Sequence, residues 1–316
     1  MTRGLPARRL PGVLGSLFSL CGHAHATCAG LAVAAALGQE AAIDATARAA
    51  LAQQTLREHL RSLWLDGPRL LGDEAGIDAA GQELSQCPLF SGRPDDLPGW
   101  LQAHLFGMLP AAWLAGWERG PASQPQPLRA WLGRCTGADT PLPALPPLPV
   151  PSDSAAWRRW AADLDEDQFA AQPRWLGACA ETGVWTRHHL PAAQQPSTPA
   201  LRLGARLAEV ARLASPGGAA WLALGALPLA AGEALAWVEM ARGLLIHHVR
   251  LDGQGDAARV AACQVVAPTA WNFHPLGAMA AALESWLGHP GLLVAAYDPC
   301  VPCTWELTMR KEVCHA

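Results

Sequence analysis

Charged residues are scarce in this sequence of 316 amino acids. Asp, Glu, Lys and Arg make up 16% of the chain, whereas 51% of its residues are hydrophobic. An average soluble domain has about a quarter of its residues charged, so this chain has ample apolar material for a core and is not intrinsically disordered. Its formal net charge is −4, and no stretch interleaves basic with aromatic residues. This composition gives no electrostatic reason to expect nucleic-acid binding.

A long uninterrupted apolar run is also missing. The longest candidate, residues 219–232, is broken by Gly225 and Pro228, and a membrane-spanning helix needs about 20 apolar residues. The N-terminal residues superficially resemble a signal peptide, but Pro11 breaks their short apolar run. Nine cysteines, an odd number at scattered spacings, argue against a secreted disulfide framework. We therefore expect a cytoplasmic protein with reduced thiols and no membrane association.

Helical periodicity dominates the first two thirds of the chain. The apolar spacing over residues 41–65 predicts a helix with Glu58 facing outward. The spacing over residues 201–213 predicts another helix with Arg202 and Arg206 on its polar side. Nine prolines in residues 121–151 predict an extended connection over the surface. The predicted helices cover residues 26–37, 41–65, 97–117, 152–171, 201–213 and 278–287.

Strand patterns appear only after Gly232. Strands are predicted over residues 236–240, 244–251 and 260–266, and the turn-forming residues 252–256 join the last two. The predicted fold class is therefore mainly α with a small C-terminal β-hairpin part, an α+β protein.

The most informative stretch of the sequence is YDPCVPCTWE, residues 297–306. Cys300 and Cys303 are three positions apart, so their sulfurs can ligate one metal ion. The same spacing occurs in zinc sites and in redox motifs. By itself this pair predicts a metal or redox site and leaves its type open.

Five stretches of the chain, in the same order, resemble the motifs of nickel–iron hydrogenase large subunits. The last of them is the cysteine stretch, which resembles the family's closing DPCxxCxxH, with Glu306 where the family has histidine. The other four are CGHAHATC at 21–28, ETGVWTR at 181–187, EMARGLLIH at 239–247 and VAPTAWN at 266–272.

The resemblance implies a metal site that is no longer complete. It matches Cys21 and Cys300 to terminal nickel ligands and Cys303 to a thiolate that bridges nickel and iron. The position of the second bridging thiolate is Ala24, which has no ligand atom. The resemblance therefore implies that nickel is not held and that hydrogen is not cleaved.

The residues that hold the diatomic ligands of iron are retained. The resemblance places Arg242 and Thr269 beside the two cyanides, where a guanidinium and a hydroxyl are suitable donors. Ala241 and Pro268 would line the dry pocket for carbon monoxide. On this combination the chain is identified as a member of the HupK/HoxV family of hydrogenase-like maturation proteins.

Membership in that family implies a single domain over residues 1–316, with the β-hairpin and cysteine tail in residues 233–316. It also implies an assembly scaffold rather than an enzyme, which carries a transient Fe(CN)2CO fragment on its C-terminal cysteines. The expected partners are a HypC/HypD-type iron-fragment complex, a HoxL-type chaperone and the hydrogenase large subunit.

Two other functions stay open on the sequence alone. The chain would be a divergent metalloenzyme, hydrogenase-like or a zinc hydrolase, if the cysteine pair held a catalytic metal. A purely structural relative would have no use for the pair, yet Cys300 and Cys303 are present.

Overall fold

The protein is described by a computed structural model for residues 2–40, 45–70, 74–93, 96–119, 132–133, 135–164, 169–188, 197–300 and 303. Two helices continue into a π-helical turn, Ala45–Arg61 at Ser62–Asp66 and Leu97–Leu101 at Gln102–Phe106. The helices are α1 (Leu10–Leu17), α2 (Gly22–Ala36), α3 (Ala45–Arg61), α4 (Gly67–Leu70), α5 (Glu74–Ser85), α6 (Leu97–Leu101), α7 (Pro110–Arg119), α8 (Ala155–Asp163), α9 (Val184–His188), α10 (Pro199–Leu213), α11 (Pro268–Asn272), α12 (Ala278–Leu283) and α13 (Pro290–Tyr297).

Four antiparallel strands form one sheet in the order of the sequence, β1 (Leu224–Ala230), β2 (Glu233–Met240), β3 (Gly243–Asp252) and β4 (Arg259–Val266). The α+β class is confirmed, but the β part is a four-stranded meander rather than a small hairpin. The sequence prediction missed β1 because Gly225 and Pro228 interrupt it. β1 is an edge strand, where a proline costs no ladder hydrogen bond on its outer side.

The sheet is buried on both faces, which explains why its strands read as nearly continuous apolar runs. Helix α2 packs against β2 and β3, and Ala236 and Leu245 belong to that core. On the opposite face, Leu235 and Ile246 pack with Trp157 of α8. Successive strand residues point to opposite faces, so the two cores are separated by a single layer of backbone.

Helix α10 is buried along almost its whole length, contrary to the prediction of a polar arginine face. Arg202 and Arg206 are 5% and 4% exposed. Arg202 forms a two-pronged ion pair with Glu181, and its guanidinium lies 4.3 Å from the ring centre of Tyr297. Glu58 of α3, predicted to face outward, is also buried. Charged residues at helical spacing look like a solvent-exposed face when their partners lie far away in the sequence.

The proline-rich connection is only partly described. Over residues 140–151 it contains no helix or extended strand, but isolated bridges join Leu142 to Ser197 and Pro147 to Glu181. Leu142 and Leu148 are buried, whereas Pro141, Pro146 and Val150 are exposed, so this part follows the surface and is anchored by the two leucines. Within the described residues, no helix has the length and apolar character needed to cross a bilayer.

Candidate functional site

Four separate segments of the chain bring the predicted site residues together. Cys21 directly precedes α2, Arg242 lies in the β2–β3 turn, and Thr269 is in the first turn of α11. Cys300 follows α13, and its thiol lies 3.9 Å from Thr269 Oγ1. Cys300 and Arg242 both influence the pKa of Cys21, so the structure places these four residues in one site.

Two of the candidate ligand thiols, Cys21 and Cys303, have a raised pKa and are therefore protonated near neutral pH. Burial raises the pKa of Cys21 to about 12, with further contributions from Glu58 and Cys300. Burial and the nearby Cys300 also raise the pKa of Cys303. Metal binding requires thiolates, so binding here releases protons. Among the described residues, no three His, Cys, Asp or Glu side chains are already arranged around a metal position.

Arg242 lies between two carboxylates that the sequence did not identify as site residues. Its Nη1 donates to Glu58 Oε2, and its Nε lies 3.7 Å from Asp298 Oδ2. Burial alone would lower the pKa of Arg242, but Asp298 and Glu58 outweigh it and raise that pKa. Burial raises the pKa of Glu58 to about 7. Arg242 is therefore a buried cation, not a solvent-exposed residue at a strand end.

Asp298 connects the cysteine tail to the core. It ends α13 with a left-handed backbone, φ 49° and ψ 68°, a conformation that non-glycine residues rarely adopt. Its Oδ1 accepts a hydrogen bond from Ser62 Oγ at 2.7 Å, and its Oδ2 lies 3.9 Å from Arg206 Nη2. Asp298 stands two residues before Cys300 in the sequence, and this position could have identified it as a site residue. Glu58 offered no comparable signal.

Two further predicted residues are buried next to site residues in the sequence. Ala241, next to Arg242, is 2% exposed, and Pro268, next to Thr269, is also buried. Neither has a polar side-chain atom, which suits a pocket for a ligand that accepts hydrogen bonds poorly.

The resemblance to hydrogenase large subunits places Ala24 where those proteins have their second bridging thiolate. It lies in α2, is fully buried, and its backbone N–H donates to Gln54 Oε1 at 2.9 Å. The helix is therefore tightly packed at this point without a sulfur. Glu306, the other departure from the family motif, lies outside the described residues.

His25, one turn after Cys21, pairs with another histidine. Its Nδ1 lies 3.1 Å from Nε2 of His247, and Phe18 stacks on its ring at 3.6 Å. Burial lowers the pKa of His25 to about 4 and that of His247 to about 3. His248 points to the other face of the sheet, toward Gln264 and Glu233, as strand geometry predicts.

The histidine pair predicts a loss of stability in mild acid. An unfolded histidine has a pKa near 6.5, so below that pH the unfolded chain binds more protons than the folded one. The two neutral imidazoles make their full contribution to the free energy of unfolding above about pH 6.5. As the pH decreases toward 4, the free energy of unfolding falls by at most roughly 1.4 kcal/mol per pH unit for each imidazole. Urea unfolding of wild type and His247→Gln at stepped pH measures this slope. His23→Gln, which removes a histidine outside the pair, is the control, and equal slopes in wild type and His247→Gln would refute the prediction.

Thr182 joins three of the sequence motifs. Asn272 clamps its backbone, because Asn272 Oδ1 accepts from Thr182 N at 3.1 Å and Nδ2 donates to Thr182 O at 2.7 Å. The Thr182 hydroxyl accepts from the backbone N–H of Leu244 at 2.9 Å. Asn272 therefore has a structural role, and this contact fixes the β2–β3 turn that carries Arg242.

Gly243, directly after Arg242, is expected to tolerate no side chain. Its φ is +130°, and a Cβ there would lie 2.8 Å from Thr182 Oγ1. We expect Gly243→Ala to lower the free energy of unfolding by about 2–3 kcal/mol through strain and displacement of Thr182. Gly116→Ala on α7, where a Cβ meets open space, should stabilise by about 0.5–1 kcal/mol. Denaturant unfolding of both variants tests this, and equal effects would contradict it.

Comparisons of sequence place the chain beside two bacterial maturation proteins. It is 37% identical to the hydrogenase expression/formation protein HoxV of Cupriavidus necator over 97% of this chain and 89% of that protein. It is 35% identical to the hydrogenase expression/formation protein HupK of Bradyrhizobium diazoefficiens over 99% of this chain and 90% of that protein. No family model matches the chain.

Comparisons of structure identify the fold. The chain matches a NiFeSe hydrogenase from Desulfovibrio vulgaris Hildenborough with a TM-score of 0.51 and 16% identity, over 95% of this chain and 89% of that one. It matches the reduced, active NiFeSe hydrogenase from Desulfomicrobium baculatum with a TM-score of 0.52 and 14% identity, over 95% and 90%. At these identities the likeness concerns the fold alone.

Proposed function

The chain belongs to the HoxV/HupK family of hydrogenase expression/formation proteins, and we propose that it is a non-catalytic scaffold in nickel–iron hydrogenase maturation. In this role it receives an Fe(CN)2CO fragment, holds it on Cys300 and Cys303 with Cys21 beside them, and passes it to a hydrogenase large subunit. The fragment is cargo rather than a resident cofactor, and nickel plays no part.

One observation carries this proposal: soft sulfur ligands and hydrogen-bond donors lie side by side in one site, where Cys21 and Arg242 are buried and Thr269 and Cys300 are half-buried. Cys300 touches Thr269, and Cys21 is buried close to Cys300 and Arg242. Thiolates are ligands for a soft iron centre. The Arg242 guanidinium and the Thr269 hydroxyl are donors for the cyanide nitrogens, with charge-assisted bonds from Arg242.

The departures from the hydrogenase motif support transfer rather than catalysis. A thiolate bridge between two metals is lost where Ala24 packs in α2. A scaffold with fewer thiolates than the final acceptor binds the cargo less tightly and therefore gives it up to that acceptor. We propose that the donor is a HypC/HypD-type complex, assisted by a HoxL-type chaperone.

Transfer of labelled iron tests the proposal. The full-length protein is purified from cells that contain the maturation machinery and are grown with radioactive iron, and it is then mixed with an iron-free large subunit. We expect the label to move to the large subunit, and we expect Cys300→Ala protein to deliver none. Label that stays on the wild-type protein at equilibrium, or bound zinc in place of iron, would reject the scaffold function.

A further inference from the structure

The ETGVWTR stretch, residues 181–187, supplies no candidate ligand, yet it contacts both sides of the turn that carries Arg242. This turn joins β2 to β3. Met240 pairs with Gly243 across it, and Ala241 and Arg242 lie between them. The direction in which Arg242 points therefore depends on what fixes Met240 on one side of the turn and Gly243 on the other.

Arg187 contacts the β2 side of the turn. Its Nη2 donates to the carbonyl oxygen of Met240, the last residue of β2, at 2.9 Å. Its Nη1 donates to both carboxylate oxygens of Glu209 on α10, at 3.0 and 2.9 Å, and its Nε lies 3.1 Å from Glu239 Oε1 on β2. The side chain of Arg187 is 5% exposed and that of Glu209 is fully buried. One guanidinium therefore joins α9, α10 and β2 at the start of the turn.

Glu209 keeps the guanidinium of Arg187 in place. Burial alone would raise the pKa of Glu209, but Arg187 and two histidines outweigh it and hold that pKa well below its usual range. Trp221 Nε1 also donates to Glu209 Oε2 at 3.2 Å, and His59 Nε2 lies 2.9 Å from Oε1. Charge-assisted hydrogen bonds are strong and have defined geometry. Arg187 is therefore fixed by contacts outside the turn, so it can anchor the carbonyl of Met240.

Thr182 and Gly183 contact the β3 side of the turn. The Thr182 hydroxyl accepts from the backbone N–H of Leu244 at 2.9 Å. A Cβ on Gly243 would lie only 3.0 Å from the backbone nitrogen of Gly183, so the two segments are in close contact there. Arg242 thus lies between two backbone positions that are both fixed by the same stretch of the chain.

We propose that Arg187 is a positioning residue, which sets the direction of the Arg242 guanidinium by fixing the carbonyl of Met240. It acts through Arg242 rather than on the cargo. The consequence for the cargo rests on the proposed scaffold function, in which Arg242 donates to a cyanide, whereas the effect on the turn does not. Lysine at position 187 would keep the charge, but one ammonium cannot contact Met240, Glu209 and Glu239 in the geometry of the planar fork.

Hydrogen exchange of the cargo-free, full-length protein tests the effect on the turn. In Arg187→Lys we expect the backbone amide of Leu244 to exchange roughly two- to tenfold faster, the change that the loss of one net hydrogen bond supplies. Trp221→Phe is the matched control, because it removes another donor to Glu209 without touching the turn, and it should leave this rate unchanged. An unchanged rate in Arg187→Lys, or an equal acceleration in Trp221→Phe, would overturn the proposal.

Glu239→Gln keeps this test available if Arg187→Lys does not fold. The variant removes only the charge beside Arg187 Nε, so we expect the same acceleration at Leu244 with a smaller size. An unchanged rate in this variant would then overturn the proposal. None of these measurements needs iron, so their result stands apart from the fate of the scaffold function.

Infrared spectra of protein from cells with the maturation machinery test the consequence for the cargo. We expect Arg187→Lys to lose the iron fragment roughly two- to tenfold more readily and to shift the cyanide bands in the same direction as Arg242→Lys does. Trp221→Phe should retain the fragment with unshifted bands. Faster exchange at Leu244 with unshifted bands in Arg187→Lys would reject the positioning role. A wild-type protein without these bands would reject the scaffold function, and the exchange rates would still decide whether Arg187 fixes the turn.

Discussion

Replacement of Cys300 or Cys303 by alanine is expected to abolish iron loading and to leave the fold intact. Each variant removes a thiolate from a site that has few, so the remaining sulfurs cannot hold the fragment through purification. Both side chains are only half-buried at the end of the described chain, so the free energy of unfolding should change by about 1 kcal/mol or less. Iron content and thermal unfolding of the purified variants are the measurements.

Cys179→Ala is the matched control for these two variants. Cys179 is also half-buried but belongs to none of the site contacts, so its replacement should leave iron content unchanged. Full iron occupancy in both Cys300→Ala and Cys303→Ala would show that the cargo binds elsewhere.

Arg242→Lys is expected to weaken retention of the iron fragment ten- to a hundredfold. Lysine keeps the positive charge but loses the planar fork that contacts Glu58 and Asp298 and that, in the proposed function, also donates to a cyanide. A hydrogen bond to a charged group contributes about 1.5–3 kcal/mol, which corresponds to that range. Iron occupancy and cyanide stretching frequencies of Arg242→Lys and wild type, prepared identically, are the measurements. Unshifted bands at full occupancy would mean that Arg242 does not touch the cargo.

Stability alone does not decide the role of Arg242. Replacement of a surface arginine changes the free energy of unfolding by no more than about 0.5 kcal/mol. Arg242, however, is 5% exposed and paired with Glu58. Disturbing a buried pair destabilises the fold whether or not a cargo binds. Glu58→Gln is therefore the useful companion variant, because it disturbs the same ion pair while leaving the guanidinium able to reach a cyanide. If Glu58→Gln shifts the bands as much as Arg242→Lys does, the guanidinium itself is not the cyanide donor.

Motif order allowed the candidate site to be predicted from the sequence, although its members are far apart along the chain. Cys21, Arg242, Thr269 and Cys300 come from four segments, and the structure brings them together. The strands were predicted only in part. Strands β2 to β4 follow apolar runs with a clear turn, whereas β1 carries a proline that only an edge strand tolerates.

The buried charges could not be predicted from local pattern. Glu58, Arg202 and Arg206 recur at helical spacing and resemble solvent-exposed faces. Their partners, Arg242, Glu181 and Asp298, are supplied by distant segments. A periodic pattern shows which face of a helix is polar, but it does not show whether water or an opposite charge meets that face.

Infrared spectroscopy of the protein purified from a host with the maturation machinery tests the central claim most directly. Cyanide and carbon monoxide on iron absorb where protein groups do not, so the bands report the cargo itself. The scaffold account predicts two cyanide bands and one carbonyl band in wild type, with iron and without nickel, and none in Cys300→Ala or Cys303→Ala. A wild-type protein without these bands, holding zinc on its cysteine pair, would contradict it.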